Sequence, residues 1–75
     1  MKKYGNIHGN SGVIAYETGT DFIRICFQGN ETYLYNEIKP GKAKVDQMKL
    51  LAEKGQGLST FISQYVKNQY YKKGS

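Results

Sequence analysis

The spacing of apolar residues changes from two to about 3.6 at Lys39-Pro40-Gly41, and this change divides the chain into a β half and an α half. Before it, apolar residues alternate along short β-prone runs. After it, they recur at helical spacing. A chain of 75 residues forms one domain with a single thin core. Strands followed by helices predict a two-layer α+β fold.

Three short runs before the change predict strands, at residues 13–16, 22–28 and 31–35. The pair Gly29-Asn30 separates the second run from the third and is typical of a two-residue hairpin turn. The predicted sheet is therefore a three-stranded antiparallel β-meander, followed by two α-helices packed on one of its faces.

A two-residue turn at Gly29-Asn30 sets the pairing of the predicted hairpin. It places Cys26 opposite Tyr33 and Arg24 opposite Tyr35, and side chains then alternate between the two faces. The core face carries Ile23, Ile25, Phe27 and Leu34. The opposite face carries Arg24, Cys26, Gln28, Tyr33 and Tyr35.

The register of the first strand has two solutions. A three-residue loop at residues 18–20 places Val13 and Ala15 on the core face. A two-residue loop places Ile14 and Tyr16 there instead. The sequence alone does not choose between them.

Two amphipathic helices are predicted in the second half. The first covers residues 42–54, with Val45, Met48, Leu51 and Ala52 on its apolar stripe and Leu50 off it. Gly55 is suited to the left-handed position that follows a helix. The second helix runs from residue 58 to about residue 70, and its apolar stripe consists of Leu58, Phe61, Ile62, Tyr65 and Val66.

The charge of the chain is concentrated in the helical half. Residues 1–38 carry three basic and four acidic side chains, a net charge of −1, whereas residues 39–75 carry eight lysines and two acidic side chains, a net charge of +6. A cationic surface attracts phosphate backbones, although lysines on helices also simply maintain solubility.

The composition of the two ends predicts three parts: a flexible segment at residues 1–12, one domain at residues 13–71 and a basic tail at residues 72–75. The first segment lacks the apolar run of a signal peptide, and no stretch approaches the roughly 20 apolar residues of a membrane span. We therefore expect a cytoplasmic protein with no membrane partner.

The chain has few residues suited to catalysis or metal binding. Cys26 is the only cysteine and His8 the only histidine, so a disulfide, a zinc site or a serine or cysteine triad has almost no candidate residues. The acidic residues fall in predicted turns and strand ends, where solvated charges are expected. We expect a protein that is not an enzyme and that uses no cofactor.

The order of these parts resembles the KTSC domain, a family named for the C-terminal extension of some lysyl-tRNA synthetases. The landmarks are Tyr16, the hairpin with Tyr33 and Tyr35, Leu51-Ala52, Gly57 and Tyr70. The resemblance covers residues 13–71. It departs from the family at residues 58–61, Leu-Ser-Thr-Phe, where the family has an aromatic pair and an asparagine. The resemblance implies no settled activity, and its synthetase context suggests RNA binding.

A sheet face with tyrosines and an arginine is suited to single-stranded RNA, because bases stack on aromatic rings while cations follow the backbone. The predicted nucleic-acid-binding residues are Arg24, Tyr33, Tyr35, Lys54, Lys67, Lys72 and Lys73. The same tyrosine face also fits an alternative, a protein partner or a homodimer, since aromatic residues are enriched at interface centres. Cross-strand tyrosines also stabilise sheets without any ligand.

Two further segments have competing interpretations. Residues 54–60 bring glycines, hydroxyls and Lys54 to a helix start that can hold an anion, but they lack the spacing of a P-loop, and the end of one helix followed by the start of the next explains them fully. Tyr70 either completes the core or belongs, with Tyr71, to an exposed tail.

Overall fold

The computed structural model describes residues 1–7, 9 and 11–74. His8, the only histidine of the sequence, lies outside the described residues. The regular elements are β1 Lys2–Lys3, β2 Val13–Thr18, β3 Phe22–Phe27, β4 Glu31–Asn36, α1 Lys42–Lys54, α2 Leu58–Phe61, a π-helical segment Ile62–Val66 that continues α2, and β5 Lys72–Gly74.

Within the described residues, five strands form one antiparallel sheet in the order β1-β2-β3-β4-β5. The α+β class and the two helices are confirmed. The predicted three-stranded meander is the centre of this larger sheet. The strands β1 and β5, at the two ends of the chain, extend it on either side.

The predicted register of the β3–β4 hairpin is wrong by one residue. Phe27 pairs with Glu31 and Ile25 with Tyr33, so the loop has three residues, and Gly29 and Asn30 within it have φ of 89° and 62°. A shift of one residue moves every side chain of β4 to the other face. Tyr33 and Tyr35 therefore share the core face with Ile25, because this pairing buries two aromatic rings where the predicted one buries a single leucine.

Arg24 consequently lies on the sheet face opposite to Tyr33 and Tyr35, opposite Leu34 in the ladder. It pairs there with Glu17 at 2.9 Å. The inner face of the sheet carries Ile23, Ile25 and Tyr35 and is covered by the helices. The outer face carries Arg24, Cys26 and Leu34.

Neither predicted register of the first strand matches the structure. The loop after β2 has four residues, since Thr18 pairs with Ile23, and the pairing shifts between Val13 and Ala15. This β-bulge puts one extra residue into β2. Val13 and Tyr16 both reach the inner face and are buried as a result, whereas Ile14 is 42% exposed.

The first helix agrees with its prediction at both ends. It covers Lys42–Lys54, and Gly55 follows it in the left-handed conformation with φ 74°. Val45, Met48 and Ala52 are buried against the sheet, and Leu50 is exposed. The Lys49 ammonium donates to the carbonyl of Gly19 at 2.7 Å, which ties the helix to the β2–β3 loop.

The second helix is shorter than predicted. It starts at Leu58 as expected but changes to π-helical hydrogen bonding at Ile62 and ends at Val66. The Lys67 N–H donates to the carbonyl of Ile62, and Lys67 itself has φ 54°. Of the predicted apolar stripe, Leu58, Ile62 and Val66 are buried, whereas Tyr65 is exposed.

The N-terminal segment, predicted to be flexible, contributes a strand and a core residue. β1 pairs with β2, and Tyr4 is 3% exposed. The phenol oxygen of Tyr4 accepts a hydrogen bond from the N–H of Leu58 at the start of α2, and the N–H of Ile7 donates to the carbonyl of Gly55. The buried Tyr4 ring and these two hydrogen bonds anchor the segment.

Candidate functional site

Four aromatic rings meet where β3 and β4 face the end of the second helix. The ring centroids of Phe27 and Tyr33 are 5.3 Å apart, those of Tyr33 and Tyr70 are 4.8 Å apart, and both pairs are edge-to-face. Tyr33 and Tyr35 lie nearly parallel at 6.5 Å. Such geometries stabilise aromatic pairs beyond the area they bury. Alternation along β4 sets the two tyrosines on one face, and the three-residue loop makes it the inner one.

These rings line a cleft of about 280 Å³, here called the aromatic cleft. Its lining residues are Phe27, Glu31, Tyr33, Tyr35, Ile62, Lys67, Asn68 and Tyr70. Most of the wall is apolar or aromatic, and a few polar groups converge on it. That composition is typical of a small ligand site.

Tyr35 is the deepest of the rings, with 2% of its surface exposed. Burial, and secondarily the neighbouring phenols of Tyr33 and Tyr70, raise the pKa of Tyr35 well above its usual range. Its phenol is protonated at neutral pH, as an unperturbed tyrosine phenol also is. A neutral phenol both donates and accepts hydrogen bonds.

The tail brings a cation to the same rings. The Lys73 ammonium lies 5.4 Å from the centroid of the Tyr33 ring and 3.3 Å from the Glu31 carboxylate. The Glu31 carboxylate, and then the Tyr33 phenol, raise the pKa of the Lys73 ammonium. Lys67 enters the cleft wall from the other side, at the end of the π-helical segment.

The structure brings four of the seven predicted site residues together: Tyr33, Tyr35, Lys67 and Lys73. Arg24 and Lys72 lie on the outer face, each opposite Leu34 in the ladder. Lys54 lies apart from both groups, in a groove beside the two helices.

That helical groove is larger, about 680 Å³, but contains only one predicted site residue. Its wall includes Lys54, Phe61, Tyr65 and three glutamines, and Tyr65 is 58% exposed. The anion site considered at residues 54–60 has lost one donor, since the Leu58 N–H is bound to Tyr4. We take the aromatic cleft as the candidate site because buried rings and convergent polar groups meet there.

Sequence reasoning missed four members of the cleft. It assigns Phe27 to the core, Glu31 to a solvated strand end, and Ile62 and Asn68 to the second helix. A three-residue loop would have placed Phe27, Tyr33 and Tyr35 on one face. Tyr70, for which both positions were considered, is half-buried against the core and completes the cleft.

In the part of the chain that the structure describes, no three histidine, cysteine, aspartate or glutamate side chains are grouped so that they could hold a metal ion. Within the same residues, no helix has the length and apolar content needed to span a membrane. Comparisons of the chain with protein-family models, curated proteins and solved structures found no match, so the resemblance to the KTSC domain stays a prediction.

Proposed function

We propose that this protein is a small non-enzymatic binding module for single-stranded nucleic acid, RNA in particular. The observation that carries the proposal is the aromatic cleft, where Tyr33, Tyr35 and Tyr70 meet with lysines on both sides. The prediction from sequence placed the tyrosines on an open sheet face with Arg24. The proposal instead uses the cleft on the inner face.

The cleft has the chemistry to hold one base. Aromatic walls favour a flat π system, and stacking of a base on an aromatic ring contributes about 1–3 kcal/mol. The neutral Tyr35 phenol and the Asn68 amide both donate and accept hydrogen bonds, which suits the edge of an unpaired base.

The lysines around the cleft suit the phosphates of the same strand. Lys67 lines the cleft, and the Lys73 ammonium lies over the Tyr33 ring. The net charge of +5 adds a long-range attraction for a polyanion. In this arrangement Arg24, Lys54 and the outer-face Lys72 are outside the site.

The test is an NMR titration of the labelled protein with an RNA oligonucleotide of about eight nucleotides, a length within the range that single-strand-binding domains cover. We expect shifts at Tyr33, Tyr35, Lys67 and Tyr70. Lys67→Gln should weaken binding and reduce the slope of log K against log salt by about 0.7, the amount that corresponds to one phosphate contact.

Lys39→Gln is the matched control, because Lys39 is an exposed lysine outside the cleft. It removes the same charge and should leave the slope nearly unchanged. Equal effects of the two substitutions would contradict a defined site. An absence of shifts at low salt would overturn the proposal altogether.

A protein partner or a second copy is the alternative, favoured by the enrichment of aromatic residues at interface centres. It differs from RNA binding in its response to salt. Binding through phosphates weakens steeply as salt rises, whereas an aromatic interface responds little. Self-association that is insensitive to salt, with no response to RNA, would favour the alternative.

A further inference from the structure

The last strand is attached to the fold differently from the others. β5 has three residues, all of them exposed, and it lies at the edge of the sheet. It follows Lys67, Asn68 and Gln69, which are also exposed. Apart from the hydrogen bond that the Gln69 amide oxygen accepts from the Lys44 ammonium, the tail is attached to the sheet by residues 70–74. Its register places Leu34 opposite Lys72 and Thr32 opposite Gly74.

The edge of β4 is nevertheless selective for the sequence of this tail. Opposite Thr32 it favours glycine, because a Cβ on Gly74 would lie 2.8 Å from Thr32 Oγ1 and the threonine side chain would have to shift. Opposite Tyr33 it accepts a cation, which contacts both the ring and Glu31. Two residues before Lys73, the backbone N–H of Tyr71 donates to the carbonyl of Leu34 at 2.7 Å.

The connection between the second helix and the tail holds a strained residue. Lys67 has φ 54° and ψ −121°, a combination that L-residues with a side chain rarely adopt. It directly follows Val66, which is fully buried. If the chain continued outward at this point instead of turning back, the strain at Lys67 would be released while the helix stayed in place.

We propose that two copies of the chain exchange their tails, so that β5 of each copy pairs with β4 of the other. The edge of β4 fits Lys73 followed by Gly74. Because this chain itself contains that sequence, the partner that pairs with β4 is the tail of a second copy. Exchange preserves every contact of β5 and of Tyr70. The conformation of residues 67–69 changes, and the exposed hydrogen bond between Lys44 and Gln69 is given up. Exchange of an identical terminal element is a known route to dimers.

The pair formed by Lys73 and Glu31 allows a test by complementation. Glu31→Lys places a second cation beside Lys73, and Lys73→Glu places a second carboxylate beside Glu31. Each variant alone therefore has a like-charge pair at its tail, both as a closed monomer and as an exchanged homodimer. An exchanged heterodimer of the two variants restores an opposite-charge pair at both of its tails. We therefore expect the mixture to form a dimer with a dissociation constant about tenfold or more below that of either variant alone.

Sedimentation of each variant and of their equimolar mixture at low salt provides the measurement. The control is the chain that carries both Glu31→Lys and Lys73→Glu, which restores the pair within one molecule and should sediment like the wild type. Both substitutions are at exposed positions, so the variants retain the core. A mixture that sediments no faster than its components would overturn the proposal.

A second measurement is independent of charge. Deletion of Asn68 and Gln69 shortens the connection so that the tail cannot return to its own β4, and we expect an obligate dimer. In a mixture of labelled and unlabelled deletion variant, contacts between Tyr70 of one copy and Tyr33 of the other should appear in an isotope-filtered NMR experiment. A folded monomer with a free tail would count against exchange. The proposal does not depend on RNA binding.

Discussion

Tyr33 links the sheet, the second helix and the tail through one side chain. Its ring meets Phe27 within the sheet and Tyr70 from the segment after the helix, and the ammonium of Lys73 lies above it. A tyrosine suits such a position because its ring packs as an apolar body while its phenol remains near water. The same ring serves both the core and the candidate site.

The phenol of Tyr35 makes the stability of the protein decrease at alkaline pH. The pKa of its phenol is raised in the folded state, whereas in the unfolded chain it is about 10. Above pH 10 the unfolded state therefore loses a proton that the folded state keeps, and the free energy of unfolding falls with pH by up to about 1.4 kcal/mol per pH unit. Below pH 10 this contribution to stability is fully present.

Tyr35→Phe removes that titration while it keeps the ring. Urea unfolding at about pH 8 and about pH 11 should show a smaller loss of stability for the variant than for the wild type. Tyr71→Phe, which removes a phenol that is 51% exposed, is the matched control. An equal loss in wild type and Tyr35→Phe would mean that Tyr35 ionises normally in the fold.

At the scale of elements, the bounds of the helices were more predictable from the sequence than the pairing of the strands. The bounds of α1 follow from local features: the apolar spacing, the preceding proline and Gly55. Only the last turn of the second helix escaped prediction, because its π-helical bonding leaves the apolar spacing of Leu58, Ile62 and Val66 unchanged.

Strand pairing was less predictable because it depends on loop length. Gly29-Asn30 fits a two-residue turn and also the observed three-residue loop, in which both residues have positive φ. The three-residue loop exchanges the two faces of β4, so Tyr33 and Tyr35 lie on the inner face and the candidate site lies there with them. The bulge in β2 is a similar case, since it brings Val13 and Tyr16 to one face although only two residues separate them and regular alternation would put them on opposite faces.

The corner between the two helices is a second place where element geometry can be tested. A Cβ on Gly55 would lie 3.1 Å from the Cα of Gly5, and Gly55 has φ 74°. Gly55→Ala should therefore lower the free energy of unfolding by about 1–2 kcal/mol in urea denaturation.

Gly12→Ala is the control for this prediction, because no atom lies within 4 Å of a Cβ at Gly12 and its φ is not positive. The change in stability there should stay within about 0.5 kcal/mol. Equal costs at the two glycines would show that the corner tolerates a side chain.

At the scale of the whole molecule, both termini belong to the sheet. β1 and β5 form its two edges, and Tyr4 joins the buried cluster that holds residues of the sheet and both helices. In so small a domain each buried ring is a large share of the core. We therefore expect the N-terminal segment to unfold together with the rest.

Tyr4→Ala tests this expectation. Loss of the ring and of its hydrogen bond with the Leu58 N–H should lower the free energy of unfolding by about 3 kcal/mol or more. The loss should be the same when followed by circular dichroism and by tyrosine fluorescence. Ile7→Ala, in the same segment but 65% exposed, should change stability little. Similar losses for both variants would contradict the specific docking of Tyr4.

The sequence by itself determined the α+β class, the change of element type at Lys39-Pro40-Gly41, the first helix and, apart from Tyr65, the apolar stripe of the second helix. These follow from local spacing and from glycine and proline chemistry. The tertiary structure alone decided the face on which Tyr33 and Tyr35 lie, the bulge in β2 and the recruitment of both termini into the sheet. The reason is physical: β4 has apolar residues on both faces, so its register is decided by which face the helices and Tyr70 cover, and that is a property of the assembled core.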